Sequence, residues 1–90
     1  MEFDWDDANI DHIARHHVTP EEAEEALTDP NRLPFPAYPG PRGQSRLAIL
    51  GQTSSGRYLM IILEQRNKLI RVVTARDATQ SEKQQVRRRR

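Results

Sequence analysis

Three histidines and a set of arginines carry most of the chemistry open to this 90-residue sequence. His12 and His16 stand four apart, the spacing that makes two side chains neighbours on one helix face. Such a pair is half of a zinc site, but a metal needs a third ligand. The residues between them are Ile13, Ala14 and Arg15, without the glutamate of a zinc protease. The adjacent arginine also disfavours a divalent cation, so no metal is expected. Imidazole is otherwise the side chain suited to moving protons near neutral pH, which makes either histidine a general acid or base. A plainer reading has His16 and His17 ending the helix, where a partly cationic ring suits the carbonyl-rich terminus. Spacing alone favours this plainer reading.

Arg46, Arg57, Arg66, Arg71 and Arg76 all lie in or beside strand-like runs. The guanidinium fork matches two oxygens of a phosphodiester, so an arginine-lined sheet points toward nucleic acid. The same residues could instead form a solvated face or pair with acidic helices of their own chain. Arg71 and Arg76, five apart, project to opposite faces of a regular strand, and Arg76 falls where the strand gives way to a last helix. Tyr38 and Tyr58 could stack on bases, although Tyr58 alternates within an apolar strand and reads as core. Other chemistries are excluded. There is no cysteine for thiolate or disulfide chemistry, and Gly40, Gly43, Gly51 and Gly56 fit no nucleotide-binding loop. No serine has a nucleophile-elbow context, and no cofactor is expected.

Composition frames these candidates. Lys and Arg number 14 against 13 Asp and Glu, a formal charge of +1. Residues 1–30 nevertheless hold ten acids and one base, and residues 31–90 hold three acids and thirteen bases. Such asymmetry implies nucleic acid, or opposite surfaces meeting within the fold or in a complex. The chain is long enough for one small domain, taken as residues 1–86 with a basic, disordered tail at 87–90. The longest apolar run, Tyr58 to Leu63, is too short to span a bilayer, and residues 1–20 carry acids where a signal peptide needs bases. A soluble cytoplasmic protein is expected, with no membrane partner.

The elements that must position these side chains follow from local pattern. Met1 to Trp5 alternates as a short strand. Asp6 or Asp7 caps a helix whose Ile10, Ile13 and Ala14 share one face, with His12, Arg15 and His16 pointing away. Thr19-Pro20-Glu21-Glu22 opens a second helix, with Thr19 as cap, Pro20 at the first helical position and Glu22 closing a capping box. Its Ala23, Ala26 and Leu27 face inward, and Asp29-Pro30 stops it. Residues 34–44, with four prolines and two glycines, read as an extended, mobile loop. Strand-like runs follow at 46–50, 57–63 and 69–75, joined by short turns into an antiparallel meander whose middle strand is covered on both sides. A last helix over 77–90 has Thr79 as cap, Glu82 at the third position and only Val86 as anchor, so fraying is expected. The predicted order is β-α-α-β-β-β-α, an α+β domain with both early helices on one face of about four strands.

Taken together, the chain resembles the BrnT family of bacterial type II toxins. The resemblance rests on Phe3-Asp4-Trp5-Asp6-Asp7 with Asn9, His12-Ile13, Arg15-His16 and Val18, and on Thr19-Pro20-Glu21-Glu22-Ala23. It resumes at Leu50-Gly51, Gly56-Arg57 and Arg71-Val72-Val73-Thr74-Ala75-Arg76, and ends at Ala78-Thr79 with Glu82. Two positions depart from it: Ala8 stands where the family often has lysine, and His17 where it usually has glycine. The resemblance implies a RelE-like fold and a ribonuclease that arrests translation. It also implies a ribbon-helix-helix antitoxin of the BrnA type, with operator DNA contacted only through that antitoxin. Metal-independent RNA cleavage by the ribose 2′-hydroxyl would then place Arg76 and Arg57 on the phosphorane charge and His16 at proton transfer. Arg71, Arg46, His12 and Lys83 would bind RNA, and Glu82 would remain a helix cap. The alternative is a catalytically inactive BrnT-like module serving as antitoxin partner or transcriptional co-repressor, which the alanine at position 8 favours. A structural protein whose acidic helices dock a basic partner is a third possibility.

Overall fold

The computed structural model describes residues 1–88. A two-residue strand, β1 (Glu2–Phe3), precedes two short helices, α1 (Asp7–Ala14) and α2 (Pro20–Leu27). Four strands follow, β2 (Leu33–Phe35), β3 (Leu47–Gln52), β4 (Tyr58–Arg66) and β5 (Leu69–Asp77), and then α3 (Gln80–Arg88). The α+β class agrees with the sequence pattern, but the sheet has five strands rather than four. Its order is β1-β5-β4-β3-β2. β2 to β5 pair antiparallel in succession, whereas β1 lies parallel against β5, so the sheet is mixed. The direction of β1 is set by the chain's return through both helices and four strands, which no local residue pattern reports.

The added strand corrects the reading of residues 34–44 as loop throughout. Pro34 and Pro36 lack amide donors, and β2 lies at the sheet edge, where one side of the backbone needs no ladder partner. Beyond it the chain folds back on itself, with Gly40 N–H donating to the Gln44 carbonyl (2.9 Å) and Gly43 N–H to the Gly40 carbonyl (2.9 Å).

Each helix begins where its cap predicts. Asp6 is the cap of α1, and Asn9 completes the box by accepting from the Asp6 amide. Thr19 with Glu22 and Thr79 with Glu82 form the expected boxes at α2 and α3. α1 ends in a Schellman motif: Val18 N–H bonds the Ile13 carbonyl (3.2 Å) and His17 N–H the Ala14 carbonyl (3.0 Å), with His17 left-handed at φ 59°. One expectation for α1 fails. Ala14 is exposed, and Asn9 joins Ile13 as the buried pair facing the sheet.

The sheet has two apolar faces. Ile13 of α1 and Ala23, Ala26 and Leu27 of α2 pack on Leu59, Ile61, Leu63, Val72 and Ala75. Gly51 lets α2 sit directly on β3, since a Cβ there would lie 1.9 Å from the Ala26 carbonyl oxygen. On the opposite face Val86 of α3 covers Ala48, Leu50 and Met60, with Tyr58 at the margin. β4 is thus apolar on both sides, as its sequence indicates. Arg87 and Arg88 continue α3, while Arg89 and Arg90, the remainder of the expected tail, lie outside the described residues.

Candidate functional site

Two irregularities in the β4–β5 hairpin decide where the arginines go. The register pairs Ile62 with Thr74 but Leu63 with Val72, leaving Val73 as an extra residue on β5. Val72 and Ala75, three apart, consequently face the same helices. Arg71 and Arg76 fall opposite Glu64 and Met60, which share a face of β4. The bulge therefore brings the two arginines to one face, correcting the expectation for a regular strand. The hairpin closes at Asn67 and Lys68, both left-handed (φ 50° and 69°), a two-residue turn that sets Arg66 two positions from Glu64 on the same face.

One end of this face is a row across three strands. Leu47 pairs with Leu63 and Glu64 with Arg71, so Arg46, Glu64 and Arg71 stand side by side. The Glu64 side chain is only 2% exposed and accepts from Arg46 Nε (2.8 Å) and from the Arg66 guanidinium. Arg46 first and Arg66 second hold its carboxyl below the ordinary range, with burial opposing them. Arg71 turns toward the start of α1 instead, taking Asp6 in a fork (both contacts 3.1 Å) and Asp4 at 3.5 Å. The Asp6 carboxyl is lowered chiefly by that hydrogen bond from Arg71. Asn9 fixes α1 against this corner by donating to the Val72 carbonyl (3.1 Å) and the Asp4 carbonyl (2.9 Å).

Between α1 and the row lies a cavity of about 230 Å³, lined by Ala8, Asn9, His12, Arg46, Glu64, Arg66, Arg71, Val72 and Val73. Of the residues singled out from sequence, His12, Arg46 and Arg71 meet here together with Arg66, another of the strand arginines. Asn9 and Glu64 complete the site. A signal for Glu64 existed: it is an acid ending an apolar run, where alternation places it on a covered face. His16 is exposed one turn from His12, with ring centroids 6.1 Å apart. Among the described residues no cluster of three or more His, Asp or Glu side chains is placed to hold a metal ion.

The remaining candidates gather at the other end of β5, roughly 13 Å away for the four β4 positions between Glu64 and Met60. Arg57 is a junction: Nη1 donates to the His17 carbonyl (2.6 Å) and to Glu22 (3.1 Å), Nη2 to the His16 carbonyl (3.3 Å), and Nε to Asp77 (2.8 Å). Asp77 is lowered chiefly by Arg57, and Glu22 chiefly by the Thr19 amide with Arg57 adding to it. Arg76 forks onto Glu82 (2.9 and 3.1 Å), which also caps α3, so Glu82 takes the structural place foreseen for it. Lys83 follows on the same helix, half-buried. His16 enters this end only through its carbonyl.

A small α+β domain with guanidinium groups and an imidazole converging on an open, carboxylate-braced groove is equipped to hold an oxyanion ligand and to move a proton beside it. Residues 5–82 match the family model described as ribonuclease toxin, BrnT, of type II toxin–antitoxin system, and the chain belongs to that family. Membership implies an antitoxin partner. A search of curated proteins found no match. Among the described residues no helix is long and apolar enough to cross a membrane.

Proposed function

We propose that this protein is a metal-independent endoribonuclease that inhibits translation, and that the groove beside Glu64 is where it holds RNA. The observation that carries this reading is the convergence of Arg46, Arg66, Arg71 and His12 on one opening around a buried carboxylate. In the reaction the ribose 2′-oxygen attacks the adjacent phosphorus and the bond to the 5′-oxygen breaks. A 2′,3′-cyclic phosphate and a 5′-hydroxyl result. A base takes the 2′ proton, an acid supplies one to the leaving oxygen, and cations cover the phosphorane. His12 is the proton-transfer group closest to the guanidinium row, with His16 one turn behind it. Arg46, Arg66 and Arg71 supply the charge, and Glu64 holds the first two in place. Arg76 lies farther along the same face, paired with Glu82, Lys83 follows on α3, and Arg57 braces the helix ends that carry His16. We further infer a RelE-like fold and a ribbon-helix-helix antitoxin of the BrnA type, with operator DNA reached through that antitoxin.

The test is cleavage of single-stranded RNA in excess EDTA, with product ends assayed for cyclic phosphate. Wild type is expected to cleave. Arg71→Ala should cost about 10²–10³ in rate, and His12→Ala about 10²–10⁴. Loss of activity in Arg76→Ala and His16→Ala, with Arg71→Ala and His12→Ala unaffected, would move the centre to the far end of β5.

A second reading, an inactive module that only binds its antitoxin, has one specific support. The guanidiniums in the groove already face carboxylates, and Ala8 lines it without adding charge. A folded wild type that leaves RNA intact yet still binds the antitoxin would establish that reading.

A further inference from the structure

We propose that Tyr38 is a stacking platform for one unpaired base of a single-stranded RNA whose phosphate is held at Arg46 and Arg66. The proposal rests on the RNA-binding reading of the groove and adds a subsite to it. Tyr38 is 92% exposed, so its ring contributes almost nothing to the core of the fold. Its backbone, by contrast, is restrained. Pro36, Pro39 and Pro41 fix φ on both sides of it. The chain just beyond is closed by Gly40 N–H to the Gln44 carbonyl (2.9 Å), Gly43 N–H to the Gly40 carbonyl (2.9 Å) and Arg42 N–H to Gln44 Oε1 (2.8 Å). A ring carried on a prefolded segment binds without the cost of ordering a loop.

Gly40 ties this segment to the groove. It is buried, and a Cβ built on it would lie 3.0 Å from Arg46 Nε and 2.3 Å from Gln44 Oε1. The backbone thus passes directly against the guanidinium that braces Glu64. Tyr38 is two residues from Gly40, at most about 7 Å between Cα atoms. Arg46 spends Nε on Glu64, and its Nη1 and Nη2 donate to no protein group among the described residues. A ring carried two residues from the segment that touches Arg46, whose Nη atoms keep their donors free, suits a base attached to a phosphate. Every base has a π face, so the subsite reads strandedness rather than sequence. Duplex RNA keeps its bases stacked internally and has none to offer the ring.

The experiment compares the full-length chain with Tyr38→Ala and Tyr38→Phe, each checked for native circular dichroism. The probe is a 2′-O-methyl hexanucleotide, which binds but cannot be cleaved through its 2′ position. Tyr38→Ala is expected to weaken binding about 5- to 150-fold, and Tyr38→Phe to stay within about twofold. A fully abasic backbone of the same length should bind wild type and Tyr38→Ala equally. A 2′-O-methyl duplex should bind both equally. Equal hexanucleotide affinity for wild type and Tyr38→Ala would overturn the subsite and leave the groove's RNA reading intact. Equal affinity together with loss of antitoxin co-purification by Tyr38→Ala would also overturn it, making the ring a protein anchor. A folded wild type that binds no hexanucleotide would overturn both the subsite and the RNA reading.

Discussion

A carboxylate as buried as that of Glu64 persists only where cations and donors replace its water, and Arg46 and Arg66 do so here. Its depressed pKa links stability to pH in a definite direction. The contribution is fully present above the unfolded-state value, about 4.3 for glutamate, and is lost as pH falls through the lower native value. Urea unfolding at stepped pH should show a level plateau near neutrality and a decline below about pH 4. Glu64→Gln should lower the plateau by about 1–3 kcal/mol and make the decline shallower, with Asp6, Glu22, Asp77 and Glu82 accounting for what remains. His17 supports a prediction of opposite sign. Its φ of 59° costs a residue with a Cβ more than it costs glycine. His17→Gly should therefore stabilise the protein by about 0.5–1 kcal/mol, read as a rise in unfolding midpoint. That α1 stops near His16 and His17 was legible in the sequence, because a helix stop is a local event, whereas the left-handed φ came from the structure. The closure of Glu64 by a second arginine was not: Arg66 stands two residues away on the same strand, but Arg46 reaches it from the start of a neighbouring strand through register.

The helices and the strands they cover were legible to within a few residues, since caps, prolines and alternation act within one turn or one strand. Thr19, Glu22, Thr79 and Glu82 all stand where the sequence put them. β2 escaped notice because prolines mask a strand that pairs along only one edge. Contacts between elements escaped notice as well, and they support two predictions. Gly51→Ala would press a methyl group into the Ala26 carbonyl and push α2 from β3. A loss of about 1–3 kcal/mol is expected, with Tm falling about 4–8 °C for each kcal/mol. Arg57→Met removes the tie that joins the carboxyl end of α1, the first turn of α2 and the end of β5. Amide hydrogen exchange should then quicken at residues 15–19 well before it does in β4, since the core beneath is untouched.

Across the whole molecule, the formal charge of +1 averages two opposed parts, and the fold reconciles them only partly. Asp4, Asp6 and Glu22 of the acidic part meet Arg71 and Arg57 of the basic part. The three acids of residues 31–90, Glu64, Asp77 and Glu82, all bind arginines of that same part. Among the described residues the surplus of positive charge sits on Arg32, Arg42 and Lys68 in the connections and on Lys83, Arg87 and Arg88 of α3. RNA affinity should accordingly fall with salt, with a slope of log K against log salt near −2 for three arginine contacts to a single strand, and Arg71→Ala should reduce it by about 0.7. The sequence by itself determined the helix caps, the doubly covered central strand, the charge division and the family, because each is written in neighbouring residues or in their order. Only the tertiary structure decided that His12, Arg46, Arg66 and Arg71 share one groove. That outcome depends on the extra residue at Val73, the two-residue turn at Asn67-Lys68 and the parallel seat of β1. Strand register is chosen by burial and pairing over long separations, and one residue of slip sends a side chain to the other face.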